Sequence, residues 1–292
     1  MQVAVYGRGF PTYARENIAT MFSKFDQLDL DVWIYEPLFE FLQKEAGLRP
    51  GVAGKFTSRD DLPGDVEFLF SLGGDGTFLE TVNLVKDNGI PVLGVNIGRL
   101  GFLSYISLEN LKESLDSVFS GRFDIEERML LRVETPGVAL EGPDVALNEV
   151  RLYKNSGSLI TIHVRVNDEF LSAYWADGLL LSTPTGSTAY NLSVGGPIVV
   201  PESNSLILSP IAPHNLTVRP LVLPDSAVLQ LSVDTRDPQY QLALDSYTFD
   251  LDVDTTVTVR RAETTLKMIR IENISFYSTL RNKLMWGADK RN

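Results

Sequence analysis

The feature that most constrains the fold is a change of period near Gly121. Before it, short apolar runs alternate with helical patterns. After it, from Met129 to Ile271, β-branched alternating segments follow one another, broken by Gly, Pro, Asn and Asp. Strand–helix alternation predicts a parallel, doubly wound sheet, and strands alone predict an antiparallel all-β domain. The expected organisation is an α/β N-terminal domain over 1–125 and a β-rich domain over 126–274. The tail 275–292 regains helical spacing at Tyr277–Trp286 and is expected to pack back onto the first domain, making the β domain an insertion. A chain of 292 residues is long enough for two cores.

In the first part, strands are expected at Val3–Tyr6, Asp31–Tyr35, Val66–Leu72 and Pro91–Asn96. Helices are expected over Thr12–Phe25, from Pro37 to near Gly47, and over Thr77–Lys86. Leu48–Pro63 carries Gly and Pro without periodicity and reads as a loop or flap. Ser107 is expected to cap the next helix, with Glu109 in its first turn and Gly121 at its end. In the second part the clear strands are Leu131–Glu134, Ile160–Val166, Phe170–Trp175, Val228–Val233 and Thr256–Arg260. A turn falls at Asn167-Asp168, and one helical interruption at Ser187–Ser193.

Composition removes several chemistries. There is no cysteine, hence no disulfide, thiolate zinc site or cysteine nucleophile. The two histidines are too few to build a histidine metal site. A formal charge of -12 argues against a nucleic-acid surface. It leaves room for a phosphorylated small molecule, because divalent cations and backbone N–H groups can carry phosphate charge. No run of eighteen apolar residues spans a membrane, and Met1–Gly7 reads as a strand without a secretory leader; the expectation is a cytoplasmic protein.

The chemistry centres on Phe68-Leu-Phe-Ser-Leu-Gly-Gly-Asp-Gly-Thr-Phe-Leu-Glu80. A buried strand breaks at Gly73-Gly74 and a helix opens near Thr77, an arrangement that cradles anions on backbone N–H groups and the helix dipole. A bare phosphate cradle has no use for a carboxylate at its centre. Asp75 therefore points to a metal–phosphate partner or a proton to be removed; the other reading is a plain helix cap. After the next strand, Asn96-Ile-Gly-Arg-Leu-Gly-Phe-Leu103 occupies the same kind of position, at the ligand-lining end of a parallel sheet. Arg99 there can reach phosphate or pair with a surface carboxylate, and Phe102 can stack on a base or join the core.

Asn148-Glu149 interrupts the apolar run Val145–Leu152 with two adjacent polar residues, so at least one faces inward or into a cleft. Such a pair suits vicinal ribose hydroxyls, and equally the polar face of an edge strand. Ala176–Pro197 contains five hydroxyl residues in seven positions from Ser182 to Thr188, followed by Tyr190, whose ring suits adenine. A Ser-His-Asp hydrolase is disfavoured: no Gly-x-Ser-x-Gly elbow occurs, and His214 carries no mark of a base. Asp250, Asp252 and Asp254 read as a solvated strand face.

Gly73-Gly-Asp-Gly-Thr77, Asn148-Glu149 and Asp177 through Tyr190 occur in the order and spacing of the NAD kinases, which the sequence resembles over nearly its whole length. Leu100-Gly-Phe102 and Gly195-Gly-Pro197 add to the likeness. Diacylglycerol-type lipid kinases and phosphofructokinases carry relatives of the glycine–aspartate loop, whereas Thr183-Pro-Thr-Gly-Ser-Thr-Ala-Tyr190 is far more specific. The resemblance implies transfer of the γ-phosphoryl group of ATP to the 2′-hydroxyl of the adenosine ribose of NAD. It also implies Mg²⁺ or another divalent cation carried with ATP rather than on a dedicated metal site, a site between two domains, and a homodimer or homotetramer.

By the same resemblance Asp75 is the general base, and Gly74, Gly76 and Phe102 contact the dinucleotide. Asn148 and Glu149 would hold adenosine, and Asp177 the nicotinamide end. Thr185, Thr188, Ala189 and Tyr190 would form the adenine surroundings, and Asn191, Leu192, Ser193 and Ala212 fall at further contact positions. Two positions depart from the related bacterial pattern. Trp175 stands where Arg is common, and Asp245-Ser-Tyr247 where Asp-Gly/Ser-Gln is common. Trp175 and Tyr247 therefore bear on the second ribose and pyrophosphate, and on the choice between NAD and NADH.

Overall fold

The computed structural model describes residues 1–98, 101–155, 159–271 and 275–286. The chain divides into two compact units, Met1–Glu127 with Leu266–Asn292, and Arg128–Thr265. The re-entry into the first unit at Leu266 falls inside a single long strand, Val257–Ile271.

In the first unit the strands from Gly54–Phe56 to Val92–Asn96 pair in parallel. The order runs Gly54–Phe56, Asp31–Tyr35, Gln2–Gly7, Val66–Leu72 and Val92–Asn96. Beyond Val92–Asn96 lie Ile106–Ser107 and the end of Val257–Ile271, paired through Met268 and Val92. Central strands of a parallel sheet are covered on both faces, and every residue of Val92–Asn96 is buried. The helix Arg15–Gln27 buries Ile18, Met21, Phe22 and Phe25, one apolar stripe at helical spacing. The Phe25 ring lies 5.1 Å from Phe70 and 5.9 Å from Phe119, tying that helix to the sheet and to the helix Leu111–Phe119.

The second unit is antiparallel. One six-stranded sheet has the order Leu221–Pro224, Ser205–Ile211, Gly178–Ser182, Glu149–Tyr153, Gln239–Leu244, Tyr247–Asp252. A second group pairs Glu169–Ala176, Ile160–Val166, Leu229–Asp234 and Val257–Ile271. Alternate residues of both, such as Ile162, Val164, Leu231, Leu179, Leu181 and Leu242, form one apolar core. Tyr240 is fully buried there, and its hydroxyl donates to the Thr255 carbonyl at 2.8 Å. Asn167 and Asp168 both take positive φ, the requirement of a tight hairpin turn, and join Ile160–Val166 to Glu169–Ala176.

The α/β-plus-antiparallel-β architecture read from the sequence is the observed one; several local readings need correction. Leu48–Pro63 is not wholly a loop: Gly54–Phe56 adds an edge strand beside Asp31–Tyr35, and a 3₁₀ turn at Arg59–Asp61 follows. The signal was the Ser58…Asp61 capping box, with Asp61 accepting from the backbone of Thr57 and Ser58. Ser107 does not cap a helix. It ends a two-residue strand, Asn110 takes the N-cap position, and Glu109 lies before the first turn. The run Val145–Leu152 is two strands, Val145–Ala146 and Glu149–Tyr153, broken at Leu147-Asn148. The helical interruption is a 3₁₀ segment, Thr185–Thr188, and one α-turn, Tyr190–Ser193, separated at Ala189. Arg99 and Leu100 lie outside the described residues. Among the described residues no helix is long and apolar enough to cross a membrane.

Candidate active site

In the first unit the strand Val66–Leu72 delivers the chain to the glycine turn. Gly73 donates to the Val95 carbonyl at 2.9 Å. A Cβ on Gly73 would stand 2.2 Å from Thr77 Oγ1, so only glycine lets the turn close on the helix behind it. Cβ atoms on Gly74 and Gly76 would meet nothing within 4 Å, which leaves space on the outer side of the turn.

Gly74 is the N-cap, and Asp75 is the first residue of the helix Asp75–Val85. Asp75 is thus not the cap, and its carboxylate turns to another loop. Oδ2 accepts the N–H of Phe102 at 2.8 Å; Oδ1 accepts those of Leu103 and Ser104 at 3.0 and 3.2 Å. This approach requires Gly101, whose Cβ would lie 1.8 Å from Oδ1. Lys283, from the helix Phe276–Leu284, brings Nζ to 3.5 Å from Oδ2 and 4.7 Å from the centroid of the half-buried Phe102 ring. Phe102 also meets Phe276, ring centroids 6.3 Å apart. The carboxylate is therefore held by three backbone donors at a helix N-terminus, facing a cation. On the neighbouring strand end, Arg8 and the Tyr6 hydroxyl both bind Glu80. Burial and that carboxylate push the Tyr6 phenol up.

In the second unit a second carboxylate organises the Asn148-Glu149 pair. Asp245, with φ of 50°, accepts the N–H groups of Leu147, Asn148 and Glu149 at 2.8, 2.9 and 3.0 Å. Its own N–H donates to the Glu149 carbonyl at 3.0 Å, and its carbonyl accepts from Arg151 at 2.9 Å. A carboxylate drawing three consecutive N–H groups is what interrupts the expected continuous strand. Asn148 and Glu149 are both buried, and Glu149 Oε2 has no hydrogen-bond partner among the described residues. Burial first, then the Asp245 charge, pushes the Glu149 carboxyl up to about 7, against the pull of Arg151 and the Tyr190 N–H. Burial also raises Asp245, countered by its backbone donors. The Arg151 guanidinium lies 5.2 Å from the centroid of the Tyr190 ring, itself 37% exposed.

Between about pH 4.5 and 7 the unfolded chain has released the Glu149 proton while the folded chain keeps it. Stability contributed at this site therefore falls as pH rises through that window, by on the order of 3 kcal/mol, and levels off above it. Glu149→Gln is expected to shrink the difference in unfolding free energy between pH 5 and pH 8, read by urea titration. An unchanged difference would place the proton elsewhere.

The hydroxyl-rich run folds largely upon itself. Thr183 donates to the Leu147 carbonyl at 2.6 Å and accepts the Gly186 N–H at 3.0 Å. Ser187 bonds both ways with Val199. Gly186 packs against Asn148 so closely that a Cβ would stand 2.1 Å from its carbonyl oxygen. Thr185 is buried, Thr188 and Ala189 half-buried. Asn191 is fully buried, its amide donating to Ser187 and Pro197 carbonyls and accepting from Ser209, so its side chain braces the loop. Leu192 is half-buried and Ser193 exposed.

Trp175, Asp177 and Ala212 come together at the ends of neighbouring strands. His214 donates to the Trp175 carbonyl and Asp177 to the Ile211 carbonyl. Asp177 Oδ1 is ion-paired with Lys154 at 2.6 Å, and Trp175 is 61% exposed. Tyr247, two residues after Asp245, is also exposed. Sequence reading missed Lys283, Gly101, Asp245 as an organiser, and Arg151. Asp245 and Gly101 did leave traces, as members of Asp245-Ser-Tyr247 and Leu100-Gly-Phe102.

A carboxylate thus heads a glycine-loop helix in one chain with a β unit that buries an Asn–Glu pair. Two family models match: the ATP-NAD kinase N-terminal domain over residues 55–123 and the ATP-NAD kinase C-terminal domain over 147–271. Curated NAD kinases of Flavobacterium psychrophilum and Porphyromonas gingivalis are 41% and 40% identical, the former over all of both chains and the latter over 99% of each. The crystal structure of yeast NADH kinase complexed with NADH superposes with a TM-score of 0.83 at 26% identity, covering 99% of this chain and 89% of that one. An Archaeoglobus fulgidus NAD kinase in complex with ATP shares the fold, with a TM-score of 0.74 at 22% identity over 98% and 99% of the two chains. The chain belongs to the NAD kinase family.

Proposed function

We propose that this protein is an ATP-dependent NAD kinase in which Asp75 is the general base. The 2′-oxygen of the adenosine ribose forms a bond to the γ-phosphorus. The bond from that phosphorus to the bridging oxygen breaks, ADP leaves, and the hydroxyl proton passes to Asp75. The observation that carries this reading is the Asp75 carboxylate itself. Three backbone N–H groups fix its plane at a helix N-terminus. An ionised carboxylate offers about four acceptor positions, so one is left for a substrate hydroxyl. Transfer of this kind asks for alignment and charge neutralisation more than covalent chemistry.

Mg²⁺ enters as part of the nucleotide substrate. Among the described residues no three His, Cys, Asp or Glu side chains gather as a metal site. The open outer side of Gly74 and Gly76 gives phosphate oxygens room beside the helix N-terminus. In the second unit, Glu149 and Asn148 take the adenosine ribose hydroxyls, and Tyr190 offers its exposed ring to adenine. Asp177, with Trp175 and Ala212, takes the nicotinamide end, where Trp175 replaces a charged side chain by an aromatic one. Thr185, Thr188, Ala189 and Ser193 line the adenine surroundings. A cytoplasmic homodimer or homotetramer completes the reading, on the strength of the family likeness.

The test is direct: purified protein with ATP, Mg²⁺ and NAD, NADP being read by an NADP-specific dehydrogenase. Sustained NADP formation is expected; none at saturating substrates would end the reading. Tyr190→Ala is expected to weaken NAD binding by roughly 1–3 kcal/mol through lost base stacking. An unchanged dissociation constant by calorimetry would remove Tyr190 from the site.

A further inference from the structure

The turn Gly73–Thr77 carries no cationic side chain, and the nearest lysine along its helix, Lys86, follows the helix's far end. A transferring phosphoryl group nevertheless gathers negative charge that a fixed cation stabilises. A cation stands at this carboxylate, and it comes from a distant part of the chain. Ser275 caps the helix Phe276–Leu284 by accepting the Ser278 N–H, and Thr279 and Leu280 are buried beneath it. The last turn then presents Lys283 to Asp75 at 3.5 Å, with its ammonium over the Phe102 ring. We propose that Lys283 is a further catalytic residue: the cation that binds the transferring phosphoryl group of the donor nucleotide, supplied to the glycine turn by the C-terminal helix. This rests on the NAD kinase reading above.

Three acceptor positions of Asp75 are taken by the N–H groups of Phe102, Leu103 and Ser104. The fourth faces Lys283, whose 3.5 Å contact is too long to be a strong hydrogen bond. An acceptor hydroxyl handing its proton to Asp75 must take that fourth position, at roughly 2.6–3.2 Å. It thereby displaces the ammonium from its carboxylate partner. The γ-phosphorus then lies roughly 3–3.5 Å beyond the attacking oxygen, within the swing of a four-carbon side chain pivoting on a fixed helix. An ammonium is a compact charge with three rotatable donors, suited to equatorial phosphoryl oxygens. The Phe102 ring holds it at the site during the exchange. Lys283 itself gains and loses no proton in the step.

The test compares wild type with Lys283→Met, which keeps the stem against Phe102 without the charge, and Lys283→Arg, which keeps the charge. Rates are measured against ATP at saturating NAD, alongside NAD dissociation constants and melting temperatures. Lys283→Met is expected to lower kcat by roughly 10²-fold, as for loss of one oxyanion donor. NAD affinity should not fall, melting temperature should stay at the wild-type value, and Lys283→Arg should recover most of the rate. Wild-type kcat and KM for ATP in Lys283→Met would overturn the proposal. So would equal losses in Met and Arg variants accompanied by a lower melting temperature, which would mark a packing role. A wild-type protein that forms no NADP would instead remove the reading on which the inference rests.

Discussion

Asp75→Asn is expected to lower NADP formation by roughly 10²–10⁴-fold, the range for loss of a positioned general base, while NAD still binds. The asparagine matches the aspartate in shape and can still accept at its single oxygen, so Leu103 and Ser104 keep a partner. Its amide instead faces the Phe102 N–H, a part-buried donor–donor clash that destabilises by roughly 1 kcal/mol. Two readouts therefore separate. A fall in kcat that far exceeds the change in NAD affinity is the signature of a proton acceptor. Unchanged turnover would take Asp75 out of the mechanism, and equal loss of binding and turnover would make it a structural anchor for the Phe102–Ser104 loop.

Asp245→Ala is expected to have the largest effect on stability and to abolish NAD binding. It removes the common acceptor of three N–H groups, those of Leu147, Asn148 and Glu149. Each buried donor left unpaired costs roughly 1–3 kcal/mol, so the three together cost roughly 3–9 kcal/mol unless water enters. The Asn148-Glu149 backbone loses what holds it out of the regular ladder, and the ribose-binding side chains lose their aim with it. Asp245→Asn retains one acceptor and is expected to fall between. Denaturant unfolding with NAD calorimetry checks both variants. A stable Asp245→Ala protein with wild-type affinity would show that the break at Leu147-Asn148 does not depend on this carboxylate.

The architecture was legible because local pattern and tertiary need agree over most of the chain. Val92–Asn96 is apolar throughout because both faces of a central parallel strand are covered. Ile160–Val166 alternates because one face meets the core, with Ile160, Ile162 and Val164 inside. Where a side chain from far along the sequence sets the backbone, pattern misled. Val145–Leu152 reads as one strand until Asp245, 98 residues from Leu147, takes its N–H groups. Ser107 has a capping side chain, but the short strand Ile106–Ser107, paired with Val95-Asn96, claims it first.

The same distinction runs through the candidate site. Asp75 and Glu149 stood out because a carboxylate between glycines, or in an apolar run, is a local anomaly. Lys283 carries no such mark: a lysine in the last turn of an amphipathic helix is ordinary. Its meaning lies in a contact 208 residues away, at Asp75. Gly101 stood in the Leu100-Gly-Phe102 motif, but only the approach of the Asp75 carboxylate explains why no larger residue fits there.

A structure of the protein with NAD bound, read as the distance from Asp75 Oδ2 to the ribose 2′-oxygen, tests the account most directly. Hydrogen-bonding contact of roughly 2.6–3.2 Å is the predicted result. A ribose seated elsewhere, with Asp75 still closed on the Phe102–Ser104 backbone and Lys283, would contradict it.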